Sequence, residues 1–283
     1  MDALTSFVNN IAAPILLFRA MLTVDFDLTF KALYIVPYFI AALATFAIGG
    51  FVAKTIFKNR PGVSVSNGFT SCFGNTLLIG LPIISRSYGE AAIALCLTII
   101  AFHPGILYTA GMILMELARK NGQSFALTLF NAGKNIVKQP LLIGIALGLI
   151  GNALNFTQPE IMDATTKMFT FAVLPCALFG IGGALNNYKL SAVWLEASVV
   201  SALKLLLLPA IVWLLLMPIL GVPLETARVF ILLAAMPTGV NAYIFASSYN
   251  RGVSVAANVI LISTVAGFIS IATWLWLLEN VIS

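Results

Sequence analysis

Few residues in this chain can carry charge or donate strongly from inside an apolar segment, so those that can stand out. Lys204 lies in SALKLLLLP, with no acidic residue within one helical turn. A lysine in the middle of a membrane segment costs at least ~2.5 kcal/mol on insertion scales and usually serves a pathway. It is expected to balance an anionic substrate or to move with one; snorkelling, or a bond to a backbone carbonyl, is the structural alternative. His103, the only histidine, sits in AFHPGILY. An imidazole there suits a coupling proton or a hydrogen bond to a neighbouring helix, and both readings stand. Two further clusters are polar and helix-breaking: Asn75 and Thr76 in FGNTLLIGLPI, and Pro237, Thr238 and Asn241 in AAMPTGVNAYIFASSY.

The second pair of clusters sets the chemistry. Pro237 has no amide hydrogen and clashes with the turn before it, while proline suits the first turn of a new helix. Gly74 can end a helix and Asn75 can cap the next one. Both segments are therefore expected to unwind and restart. Each restart presents unpaired amides and a partial positive charge, and two such ends form an anion site. The unwound carbonyls would suit a cation instead. Asn75, Thr76, Pro237, Thr238, Asn241 and Lys204 are the expected substrate-binding residues, with His103 for proton coupling.

The elements that must hold these residues follow from composition. The 283 residues are 60% hydrophobic and 9% charged, with a mean hydropathy of +1.03. A soluble domain carries about 25% charged residues. The chain is expected to be an all-α membrane protein that crosses the bilayer several times, because helices satisfy their own backbone groups in lipid. Its apolar runs are continuous rather than alternating, which argues against a β-barrel. The net charge of +5 is spread along the chain and no nucleic-acid motif accompanies it. Cys72, Cys96 and Cys176 read as small core residues with no disulfide or metal role. No cofactor is implied, and MDALTSF lacks the basic start of a signal peptide.

Nine spans are predicted, near 6–22, 32–54, 66–86, 90–117, 139–156, 163–186, 191–219, 226–249 and 253–279. SFALTLFNAGKNIVK (124–138) reads as a short interfacial helix or as an extension of the fifth span. Alternate loops hold Lys54, Lys58, Arg60, Arg119, Lys120, Lys134, Lys138, Lys189 and Arg251 against Lys31, Arg86, Lys167 and Arg228. The first set is expected in the cytoplasm, with the N-terminus inside. Arg19 and Glu196 lie near span ends and are expected to snorkel. Asn258, Ser263 and Thr264 read as helix–helix glue, and Gly144, Gly148 and Gly151 as a close-packing face.

Weak internal likeness relates the halves. PILLF at Pro14–Phe18 answers PCALF at Pro175–Phe179, an offset of 161 residues (175 against 14), and Ser87-Tyr88 answers Ser248-Tyr249 at the same offset. Asn75 maps within one residue of Pro237. The spans pair one with six, two with seven, three with eight and four with nine, and the fifth has no partner. A complete repeat would hold five spans, an odd number that inverts the second copy. The expected organisation is an inverted-repeat helical transporter of 4+5 spans whose broken helices cross near the midplane. Residues 1–117 form the first repeat without its first helix, 118–138 a cytoplasmic linker, and 139–283 the second repeat.

AAMPTGVNAYIFASSY (234–249), GNTLLIGLPI (74–83), AAPILLF (12–18) and LKLLLLPAI (203–211) together resemble the auxin efflux carrier family, more closely its bacterial permease and malonate-type members. The resemblance covers nearly the whole chain. It implies a ten-helix inverted repeat with two crossed helices, at Asn75 and Pro237, around the substrate. Plant members carry prolines at both crossings; here the first is Asn75, with Pro82 following. The long cytoplasmic loop of many plant members is absent.

The function expected is secondary or passive transport of small organic anions, mono- or dicarboxylates, by alternating access in a bacterial inner membrane. The alternatives are an H+- or Na+-coupled carrier of another amphipathic solute, or a membrane receptor that transports nothing. An enzyme is not expected: the chain has no Walker A, HExxH or GxSxG pattern. The partners are the anion, the bilayer and a coupling ion, H+ or Na+. A homodimer is also expected, and a monomer in native mass spectrometry would remove that expectation.

Overall fold

The computed structural model describes residues 2–24, 31–119, 140–185 and 193–281. The expected interfacial helix at 124–138, and nearly all of the 118–138 linker, lie outside them. The described residues are mostly helical, without a strand. Among the described residues, four helices are long and apolar enough to cross a membrane, namely Ala32–Thr55, Ala92–Ala118, Trp194–Ile219 and Val253–Asn280.

The helices fall into two compact units, each drawing on both halves of the sequence. The first lies within Met1–Phe30 and Phe130–Asn187. It contains α1 (Asp2–Phe7), α2 (Ala13–Leu22), α7 (Pro140–Ala153) and α8 (Glu160–Leu185). The second lies within Lys31–Leu129 and Tyr188–Ser283. It contains α3 (Ala32–Thr55), α4 (Pro61–Cys72), α5 (Leu81–Tyr88), α6 (Glu90–Arg119), α9 (Trp194–Ala202), α10 (Leu208–Leu214), α11 (Leu224–Ala234), α12 (Asn241–Tyr249) and α13 (Val253–Asn280).

In the first unit the expected small-residue face is present. A side chain at Gly144 would meet the backbone of Pro14, and a Cβ at Gly148 would lie 2.6 Å from the Cβ of Met21. Only glycine lets α7 lie this close to α2. Asn152 secures the end of α2, its amide donating to the carbonyls of Leu22 at 2.9 Å and Val24 at 3.1 Å. Arg19 does not simply reach for the interface. It pairs with Asp163 at 2.7 Å and donates to Gln158 and to the Asp163 carbonyl, because a part-buried guanidinium needs several acceptors.

Prolines shape the long helices through local π turns. Val8–Ala12, Thr76–Gly80 and Leu203–Leu207 are each π-helical, and each ends two residues before Pro14, Pro82 or Pro209. In each case the residue just ahead of the proline donates to the carbonyl five back, as Leu208 does to Leu203. The proline itself donates nothing and crowds the carbonyl four residues earlier, so the helix widens there. At Pro209 the displaced carbonyl is that of Leu205. It is satisfied from α13 instead, by Ser270 Oγ at 3.0 Å and Trp274 Nε1 at 3.1 Å.

Replacing Gly148 with valine should overpack the α2–α7 contact and destabilise the first unit by about 1–3 kcal/mol. The thermal melting of the detergent-solubilised protein reads this. An unchanged melting temperature would show that α2 and α7 are not tightly packed.

Candidate functional site

Two helices of the second unit are interrupted, and the interruptions meet. α4 ends at Cys72, and Phe73 turns into extended backbone with ψ 98°. α11 ends at Ala234, and the chain does not become helical again until Asn241. Gly74 and Thr238 form an antiparallel bridge. The Asn75 amide donates to the Pro237 carbonyl at 2.7 Å, and the Gly239 amide to the Phe73 carbonyl at 3.0 Å. Backbone groups freed from two helices thus satisfy each other, as they must where water is absent.

Asn75 is the N-cap expected of it, its side-chain oxygen accepting from the Leu78 amide at 3.2 Å. Thr76 follows as the first residue of the π turn. The second restart differs from expectation. Pro237 does not open the new helix; it lies in the extended crossing, and α12 begins four residues later at Asn241. The reason is that its carbonyl and the Gly239 amide are taken up by the partner segment, and the Thr238 amide by Ser263 of α13. Its ring lies against Gly267 of α13, 3.6 Å from where a Cβ would be.

Side chains in and around the crossing brace it. Thr238 donates through its hydroxyl to the Thr70 carbonyl at 3.1 Å, and its amide donates to Ser263 Oγ at 3.1 Å. The Gly74 amide donates to Nε2 of His103 at 3.2 Å. Of the two readings of His103, the hydrogen bond to a neighbouring segment is present; its ring also packs edge-on against Phe73, centroids 4.7 Å apart. The Asn241 carbonyl accepts from Tyr108 at 3.1 Å. Phe69, on α4, stacks on Phe245 of α12 with centroids 4.1 Å apart.

Lys204 is completely buried. Its Nζ donates at 2.5 Å to the carbonyl of Ala234, the last residue of α11. Its Cε and Nζ lie 3.3 Å from the position a Cβ of Gly74 would take. The backbone-carbonyl reading of Lys204 is therefore the geometry observed, and it places the amine directly beside the crossing. Asn75, Thr76, Pro237, Thr238, Lys204 and His103 are all gathered here. Asn241 stands one step further along, at the start of α12.

Several contributors were not among the predicted site residues. Phe73, Thr70 and the Ala234 carbonyl act through backbone atoms, which residue type cannot announce. Ser263 is helix glue as expected, but its partner is the crossing itself. Glu196 is a correction: it is buried rather than snorkelling, and its carboxylate accepts from Asn59 and, at 2.5 Å, from Asn67. Two amides inside the protein replace the water it would otherwise seek. The dense polar run SVSNGFTS in α4 was the signal for that contact.

The family model described as "Membrane transport protein" matches residues 1–275. The chain belongs to this membrane transport family, that of the auxin efflux carriers. It is also similar to a protein of Rhizobium meliloti (strain 1021) named "Putative malonate transporter", with 25% identity over 282 residues, covering 99% of this chain and 88% of that one.

Ser263→Ala should leave the Thr238 amide buried without an acceptor and destabilise the second unit by about 1–3 kcal/mol. Ser263→Thr, which keeps the hydroxyl, should cost less. Equal melting temperatures for the alanine variant and the parent would show that the amide finds another partner.

Proposed function

We propose that the chain is a carrier of small organic anions, mono- or dicarboxylates, working by alternating access. The observation that carries this reading is the antiparallel meeting of two interrupted helices with a buried lysine against it. A scaffold or receptor has no need to break two helices and then repair the damage across the gap. The similarity to a protein named for malonate transport favours a dicarboxylate.

In this reading the dipoles of the restarted segments, Thr76–Gly80 running into α5, and α12, offer a partial positive charge to the anion, while their own opening amides at Leu78, Ala242 and Tyr243 are held by Asn75, Gly239 and Val240. Asn75, Thr76, Thr238 and Asn241 provide polar contacts, Pro237 keeps the second segment from closing into a helix, and Lys204 supplies the positive charge. Nine spans in an inverted 4+5 repeat are the arrangement proposed, supported by the matched sequence offset and by the antiparallel relation of the two breaks. The setting proposed is a bacterial inner membrane, with the chain as a homodimer.

The test is uptake of labelled carboxylates, malonate among them, into proteoliposomes. Saturable uptake is expected, with a loss of at least about tenfold in Pro237→Leu, because leucine lets the segment regain its helix. Uptake by that variant at the parental rate would remove the crossing from the mechanism. Absence of uptake of every carboxylate by folded protein would reject the anion-carrier reading.

A further inference from the structure

We propose that the ammonium of Lys204 is a resident counter-cation: it occupies the carbonyl end of the broken α11 that an exchangeable monovalent cation would otherwise fill, and so lets an organic anion be carried without a co-transported cation. The proposal rests on the carrier reading above and specifies its energetics.

Three observations converge on it. The first is what the amine holds. Ala234 is the last residue of α11, so its carbonyl belongs to the set with no intrahelical partner and lies at the negative end of the helix dipole. In carriers with broken helices such half-helix ends and unwound carbonyls are where Na+ is coordinated. Here the oxygen is taken by Nζ of Lys204.

The second is what surrounds the amine. On its other side is the first interruption, where Gly74 leaves room for Cε and Nζ. Any larger residue at 74 would press on the amine. No carboxylate forms an ion pair with Lys204 among the described residues: the ion pairs there join Arg19 to Asp163 and Arg228 to Glu225. Glu196, the buried acidic group among the described residues of this unit, is held by Asn59 and Asn67. The charge of Lys204 is thus left for a mobile anion to balance, and it repels a second cation from the same carbonyl.

The third is how the amine is fixed. Lys204 lies within the π turn Leu203–Leu207. That turn is pinned to α13 through the Leu205 carbonyl, held by Ser270 and Trp274. Ser263 and Gly267 of the same helix hold Thr238 and Pro237. The lysine and the second interruption therefore share one support, and the charge keeps its place relative to the crossing.

The experiment compares malonate uptake into proteoliposomes in NaCl and in choline chloride, without a pH gradient. The parent should take up malonate equally in both, within about twofold. Lys204→Ala should fail in choline and regain about tenfold uptake when Na+ or methylammonium is supplied. The same two cations should raise its melting temperature in detergent, and leave that of the parent unmoved. A parent that requires Na+ or an imposed pH gradient overturns the proposal. So does a Lys204→Ala protein that gains neither uptake nor melting temperature from either cation, including one that yields no folded protein in any salt. If the parent carries no carboxylate in any salt, the carrier reading fails instead, and the melting curves still decide whether a cation replaces the amine.

Discussion

A backbone amide or carbonyl released from a helix inside an apolar protein must find another partner, and this one constraint organises the second unit. Two helices are opened, and the exposed groups are paired with each other through the Gly74–Thr238 bridge and the flanking bonds of Asn75 and Gly239. What the bridge leaves over is taken by side chains: Ser263 and His103 accept amides, while Lys204 donates to a carbonyl. The polar residues of the region are thus explained first by backbone satisfaction. Transport, in the reading proposed, uses the lysine charge and the helix ends left at the edges of that arrangement.

The same constraint operates in miniature at the prolines. Each π turn ahead of Pro14, Pro82 and Pro209 is a helix widened to accommodate a ring that cannot donate. At Pro209 the displaced carbonyl receives two side-chain donors from a distant helix. This makes the Lys204 segment a fixed point, although it contains a helix irregularity of the kind that often accompanies motion. Irregular hydrogen bonding and rigidity coexist here because the missing bond is replaced rather than left open.

Much of this was legible in the residues. Continuous apolar runs gave the helices, since period and length are written in the sequence. Gly74 with Asn75, and Pro237 with Thr238, marked the two breaks, because helix breakers in apolar surroundings have few other uses. The glycines at 144 and 148 marked the close approach of α7 to α2. Three things could not be read. The restart at Asn241 rather than Pro237 depends on which partner takes the Pro237 carbonyl, a contact separated by 162 residues from Asn75 (237 against 75). The inward turn of Glu196 depends on Asn59 and Asn67, far away in sequence. The choice made by Lys204 between an anion and a carbonyl is a matter of which oxygen lies within reach, and residue type is silent on it.

The partition of the chain into two units has a consequence for its biosynthesis. The crossing joins Lys31–Leu129 to Tyr188–Ser283, and Lys204, Thr238 and Ser263 all lie in the later stretch. Until the ribosome has delivered them, the amides of Gly74 and Asn75 lack part of the pairing they have in the finished protein. At roughly 5–20 residues per second that interval is on the order of ten seconds. During it the first segment must remain a continuous helix, shelter against the insertion machinery, or be held by a chaperone. The break that serves the finished protein is therefore a hazard to the nascent one, and it is repaired only when the second half threads in beside it.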